Sequence, residues 1–139
     1  MILSQSSATA SVNALVSNLG ASASVAIYDG TVPAGPDTAL SGNTLLVSGV
    51  VSSWASASYD STVSGMSQVA TMTSSSYAPA ASGTATFARF LTSGSVAQQQ
   101  LTVGTSGSGA DVILGNTAIQ TGVNVDFTSV KLYVPSQSV

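Results

Sequence analysis

The stretch Gly83–Gly94, GTATFARFLTSG, is where the fold becomes legible. In an extended chain Ala85, Phe87, Arg89 and Leu91 share one face, and Thr84, Thr86, Ala88, Phe90 and Thr92 share the other. A period of two among aromatic and β-branched residues predicts a strand. Thr92-Ser93-Gly94 then turns the chain into SVAQQQLTVG, Ser95–Gly104.

Working outward, the same signal recurs. ADVILG, Ala110–Gly115, reads as a short strand. NVDFTSVKLYV, Asn124–Val134, sets Val125, Phe127, Ser129, Lys131 and Tyr133 opposite Asp126, Thr128, Val130, Leu132 and Val134. Upstream, SASVAIYDG alternates, with Ala23, Val25 and Ile27 opposite Ser24, Ala26 and Tyr28. Asp29-Gly30 and Pro33–Asp37 are turn chemistry. Thr44–Trp54 is β-rich, with Gly49 as the expected bulge. Within residues 55–83, Met66, Val69 and Met72 recur every third position. That spacing fits either a helical turn or a loop with irregular strands. Short strands separated by regular turn signals predict a mainly β protein, an antiparallel β-sandwich of jelly-roll type.

One helix precedes the strands. Ser7 is the expected N-cap, Ala8, Val12, Leu15, Val16 and Leu19 form an apolar stripe, and Gly20 ends it. This divides the chain into an N-terminal amphipathic helix or arm, residues 1–20, and a single β-sandwich domain, residues 21–139. The stripe requires a packing partner, either the sheet or a neighbouring subunit. As an arm outside the β region, Met1–Leu19 is expected to matter more for oligomerisation or docking than for folding.

Composition narrows the function. The chain has 139 residues, no His, no Cys and no Glu. Its only cations are Arg89 and Lys131, and its acids are Asp29, Asp37, Asp60, Asp111 and Asp126. Without His or Cys it lacks the usual base near neutral pH, the usual thiol nucleophile and the usual ligands of structural zinc, haem and iron–sulfur sites. Two cations against a net charge of −3 are too few to neutralise a run of phosphates, so neither nucleic acid nor a charged membrane surface is an expected partner. Ser, Thr, Ala and Gly make up more than half the chain. Even so, the ordered placement of Leu, Ile, Val and Phe predicts a folded core. Such a charge-poor surface is compatible with permanent burial in an assembly.

Two apparent motifs lie in GTSGSGADVILGNTAIQTG, Gly104–Gly122. Gly104 and Gly109 have phosphate-loop spacing, but Ala110 and Asp111 stand where that loop needs Lys and Ser or Thr. Ser106–Ile113 approximates a calcium-binding nonapeptide, but it occurs once, and that motif binds metal between stacked copies. The glycines are therefore read as a tight reversal between QQQLTV and DVIL. Asp29, Asp37 and Asp60 are assigned to turns or loops, and Asp126 points outward from the last strand. Arg89, in an apolar strand, is read either as an exposed strand residue or as a buried or interfacial partner for an aspartate such as Asp126. Trp54 is expected in the core, and Tyr59 and Tyr77 are read as either core or contact residues. No catalytic, cofactor-binding or metal-binding residue is assigned, and no enzymatic activity is expected.

Three stretches together resemble a group of small tailed-bacteriophage virion proteins: VAIYDGTVPAGPDTALSGNTLL (Val25–Leu46), SGTATFARFLTSG (Ser82–Gly94) and VGTSGSGADVILGNTAIQTGVNVDFTSVKLYVP (Val103–Pro135). The likeness rests on the order of Tyr28-Asp29-Gly30, Thr44-Leu45-Leu46, Gly83–Arg89, Gly104–Asp111 and Asn116–Val125, and residues 51–82 lie outside it. It implies a jelly-roll capsid cement or decoration protein, made in the host cytoplasm and placed on the virion's capsid surface. There it would be a homo-oligomer, a dimer or trimer, bound to the phage major capsid protein and stabilising that lattice. The alternative is a neck, collar or fibre-associated module, structural or binding a receptor or glycan through residues such as Tyr59 and Tyr77. A third reading is an aspartate-dependent hydrolase.

Overall fold

The computed structural model describes residues 1–138 and is mainly β, with one helix near the N-terminus. Helix α1 spans Gln5–Leu19 and ends at Gly20, as expected. Its N-cap is Ser4 rather than Ser7: the Ser4 hydroxyl accepts the Ser7 amide at 3.1 Å, so the helix begins one turn earlier. Ala8, Val12 and Leu19 are buried, and Leu15 and Val16 are half-buried. The helix packs on the sheet, against the strands named β4 and β12 below. Val12 and Leu19 belong to the same apolar core as the strands. The helix thus finds its packing partner in the sheet, and removing Met1–Leu19 would uncover part of that core.

The strands are β1 (Ser24–Tyr28), β2 (Leu45–Trp54), β3 (Ser58–Asp60), β4 (Gly65–Met72), β5 (Ser76–Tyr77), β6 (Gly83–Thr84), β7 (Phe87–Leu91), β8 (Ala97–Leu101), β9 (Val103–Gly104), β10 (Val112–Leu114), β11 (Ala118–Ile119) and β12 (Val125–Pro135). They pair in the order β8-β7-β1-β2-β4-β12-β10-β9, with β3 beside β4, β5 beside β12, and β6–β11 as a separate ribbon. The pairings are antiparallel except β9–β10. The main path therefore starts and finishes on one stretch of chain, Ala97–Gly104, where Thr102 separates β8 from β9. The result is a sandwich-like fold around a core that runs from Val25 and Ile27 through Phe90 to Val112, Val130 and Leu132.

Long strands turn corners by bulging, and the bulges account for several departures from simple alternation. In β2 the extra residues are Leu46, between the Ile27↔Val47 and Tyr28↔Leu45 pairs, and Ser52, between Val51↔Met72 and Ser53↔Thr71. Gly49, the expected bulge, pairs regularly with Val25. Its lack of a side chain serves a close approach instead, since a Cβ there would lie 2.7 Å from the Tyr77 ring. Ser52 marks the point where β2 leaves β1 and continues beside β4.

In β12 the extra residue is Thr128, between Ile113↔Ser129 and Leu114↔Phe127. Val125 and Phe127 point inward before it, and Val130 and Leu132 after it. The two faces expected from strict alternation are thus each half right. The bulge exchanges them midway.

The residues spaced by three, Met66, Val69 and Met72, fall on β4, so the helical-turn alternative does not hold. Gly65 to Gln68 are buried in succession, where β4 is flanked by β2, β3 and β12 and packed against α1. The Gln68 side-chain amide donates to the Ala55 carbonyl at 2.9 Å, which satisfies one end of the buried amide, while its Oε1 has no partner. The expected strand over Gly83–Thr92 is broken as well. Gly83–Thr84 pairs with β11, and only Phe87–Leu91 joins the main sheet.

Candidate functional site

The most elaborate polar construction in the molecule is a loop held flat against the sheet by Arg89. Strands β1 and β7 are buried on both faces. Val25, Ile27, Ala88 and Phe90 enter the main core, while Ala26, Tyr28 and Phe87 form a second apolar cluster with Leu91 packed on it. The Tyr28 and Phe87 rings stack with centroids 5.3 Å apart. Over this second face runs the Pro-rich connection from Thr31 to Asn43.

Its base is closed by Asp29. The Asp29 carboxylate accepts the Thr44 amide at 2.6 Å, and the Asp29 amide donates to the Thr44 carbonyl at 3.2 Å. Asn43 adds two bonds, its Nδ2 donating to the carbonyls of Asp29 (2.8 Å) and Thr31 (2.9 Å). Thr86 donates its hydroxyl to the Gly30 carbonyl at 2.8 Å. Asp29 is therefore a turn residue, as expected.

Farther along, the loop is gripped by two neighbours on adjacent strands. Arg89 is 5% exposed, and its Nη2 donates to the carbonyls of Gly35 (3.0 Å) and Thr38 (2.8 Å). Gln100, its cross-strand partner, accepts from Arg89 Nε and Nη2 at 3.3 and 3.2 Å. The Gln100 Nε2 in turn donates to the Pro33 carbonyl at 2.7 Å. The guanidinium carbon stands 5.9 Å from the Phe87 ring centroid, within cation–π range. Burial pushes the Tyr28 phenol up from its ordinary pKa, partly countered by the Arg89 charge.

Neither reading of Arg89 holds: it is buried, not exposed, and it is not paired with an aspartate such as Asp126. Asp126 is exposed on β12, and the Arg89 charge is met by carbonyl and amide oxygens. Backbone carbonyls can reach a buried guanidinium without bringing a second charge out of water, which a carboxylate cannot do. The one ion pair among the described residues joins Lys131 Nζ to Asp60 Oδ2 at 2.9 Å. Asp60 also accepts the amide and hydroxyl of Thr62. The Thr62 hydroxyl and Lys131 hold its carboxyl below the usual range.

The remaining sequence candidates are placed as follows. Asp37 is exposed in the clamped loop. Asp111 ties β10 to the end of β8: its Oδ2 accepts the Thr102 amide and hydroxyl, both at 3.1 Å, and its own amide donates to the Thr102 hydroxyl at 2.9 Å. The glycine segment does not reverse the chain between antiparallel strands, because β9 and β10 are parallel. Gly107 (φ +86°) and Gly109 (φ +75°) let Thr105–Asp111 loop back so that β10 runs alongside β9 in the same direction. Trp54 packs on Phe90 with centroids 5.3 Å apart and borders the core.

Tyr77 is a corner post rather than a free contact residue. Its ring meets Phe127, and its hydroxyl accepts the Ser74 amide at 2.9 Å and bonds Thr73 Oγ1 at 2.8 Å. Tyr59 is half-buried opposite Met66. No group of three or more acidic residues with metal-binding geometry occurs among the described residues, and no helix there is long and apolar enough to cross a membrane.

The fold and loop define a small, charge-poor β-sandwich that presents one pre-ordered loop. Searches against protein-family models, curated proteins and solved structures returned no match.

Proposed function

We propose that this is a structural virion protein of a tailed phage, a cement or decoration protein that binds the outside of the major capsid lattice and stabilises it without any chemical step. The observation that carries the reading is the coincidence between the phage-like sequence segments and the clamped loop. Tyr28-Asp29-Gly30 and Thr44-Leu45-Leu46 frame that loop, and Arg89 of the Gly83–Arg89 segment grips it. Those segments therefore build a single rigid feature.

The loop suits a docking role. Ordering it before contact removes part of the entropic cost of binding. It exposes Val32 (51%) and Leu40 (39%) on a hydrogen-bonded support. A shell with many equivalent positions converts weak contacts of this kind into firm attachment, especially if the protein is a dimer or trimer.

The test is quantification of the protein in purified virions, with its position located by labelling on intact particles. Cement predicts a copy number proportional to that of the major capsid protein and accessibility on the shell exterior. A handful of copies confined to the neck or tail would overturn it in favour of a collar or fibre component.

A further inference from the structure

We infer that β8 and β12 flank a one-strand opening in the sheet, and that this opening binds a short extended segment of another polypeptide by β-strand addition. This goes beyond the capsid reading and does not depend on it. Main-chain groups, rather than side chains, point to the ligand.

Strand β10 lies between β9 and β12. Its line ends at Asp111. There the Lys131 amide donates to the Asp111 carbonyl at 3.1 Å, and the Val112 amide donates to the Thr102 carbonyl at 3.0 Å. Upstream of Asp111 the chain loops away through Gly107 and Gly109, both at positive φ. The two flanking strands continue without it. On one side β12 runs on to Pro135, paired with β4 along its other edge. On the other side β8 lies directly before Thr102, paired with β7 along its other edge.

In an extended chain every second residue presents its N–H and C=O to the same edge. Lys131 faces β10, so Tyr133 faces the same way, and Thr102 faces β10, so Gln100 does too. No described residue bonds the main-chain N–H or C=O of Gln100 or Tyr133. Both residues line one cleft of about 290 Å³. The Gln100 side chain is spent on Arg89 and the Pro33 carbonyl, so its backbone is what it offers there. Farther along β12 the Gln137 amide donates to the Leu3 carbonyl at 2.9 Å. That edge of β12 is thus occupied on either side of the opening and free within it.

An ordinary sheet edge has a single wall of unpaired groups. Here two walls face each other across the width that one strand fills, about 9–10 Å. An extended chain presents donors and acceptors to both sides at that repeat, which makes a peptide strand the complementary ligand. Its ladders would continue those that Val112 and Ile113 already form with β9 and β12. Leu15, Leu101 and Leu132 give the cleft an apolar floor. The segment therefore needs one aliphatic side chain facing that floor and polar neighbours facing solvent.

The experiment is a titration of the ¹⁵N-labelled full chain with acetyl-Thr-Thr-Val-Thr-Thr-amide, following amide chemical shifts and hydrogen exchange. A ligand of this size should bind with a Kd of about 1 mM or weaker. Saturable shifts are expected at Gln100, Leu101, Lys131 and Tyr133, and exchange of the Gln100 and Tyr133 amides should slow about tenfold. The same peptide methylated on the valine nitrogen keeps every side chain but loses a main-chain donor, and should bind about tenfold or more weakly. Tyr133→Pro should fold, because that N–H points away from β4, and should lose the shifts. If it does not fold, the methylated peptide makes the same test on the unaltered protein. The proposal is overturned if the peptide gives no saturable shift, if the shifts map elsewhere, or if the methylated peptide or folded Tyr133→Pro binds equally well. Concentration-dependent shifts at these amides without peptide would assign the opening to a second copy of this chain, and would overturn it too.

Discussion

Arg89 and Lys131 are the only cations in the chain, and they are handled in opposite ways. Arg89 lies at 5% exposure among carbonyl and amide oxygens, fastening a loop that has no regular structure of its own. Lys131 forms a conventional ion pair at the surface, with side-chain exposures of 12% for the lysine and 23% for Asp60, and ties the β3–β4 hairpin to β12. The comparison shows that opposite charge is not required to seat a scarce charged residue here. Donor geometry decides instead. A planar guanidinium with several N–H groups serves several carbonyls at once, whereas an ammonium is well matched to one carboxylate and a hydroxyl.

The contrast is open to direct test, and the largest effect should come from Arg89→Ala. It removes the donors to Gly35, Thr38 and Gln100 together, and should cost about 2–4 kcal/mol in denaturant unfolding. Limited proteolysis of the still-folded variant should then cut within residues 31–43. Resistance equal to wild type would show that Asp29 and Asn43 hold the loop unaided. Arg89→Lys keeps the charge but loses the fork, and should cost about 1–2 kcal/mol in the same assay. Full retention of stability would mean that charge, not geometry, is what matters.

Asp60→Asn and Lys131→Met should each cost about 1 kcal/mol, because the pair is half-buried and makes fewer bonds than the Arg89 clamp.

The last and smallest effect is on pH dependence, and it separates the two sites. Asp60 titrates below its ordinary value, so its contribution is complete above pH of about 4 and fades as pH falls through the folded-state value. Tyr28 titrates above its ordinary value because it is buried, so the stability it contributes is complete below pH of about 10 and fades as pH rises through the folded-state value. Unfolding midpoints followed from acid to alkali should therefore lose part of their acid dependence in Asp60→Asn. In Arg89→Ala that acid limb should be unchanged.

The same comparison shows what a sequence of this kind discloses. Strands β1, β2, β7, β10 and β12 were legible because each carries a run of apolar or aromatic residues beside a turn signal, and the sandwich class follows from them. Strand β4, GMSQVATM, was not: with both faces covered it has no alternation, and Ser67 and Gln68 are buried polar residues that imitate a loop. The exchange of faces in β12 depends on one bulged residue, Thr128, whose identity gives no warning.

The site was half visible. Arg89 stood out as a lone cation in an apolar strand, and the glutamine run of β8 was the signal that its neighbour would be an amide rather than an acid. Its other acceptors are main-chain carbonyls about 50 residues away in sequence, which no side-chain pattern encodes. Gln99 shows the same limit. Its sequence neighbours Gln98 and Gln100 find partners in Asn18 and the clamp, and only the folded chain distinguishes the one left over.

Thr102 and Asp111 join the two ends of the main hydrogen-bonded path, and this has a mechanical consequence. A sheet whose first and last strands are far apart in the chain frays from either end, one strand at a time. Here the terminal strands β8 and β9 are consecutive segments separated by one residue. Peeling β8 from β7 pulls on β9, and loosening β9 from β10 pulls on β8. Tension applied at one end is shared with the other, so β8 and β9 should open together as one unit rather than fray independently.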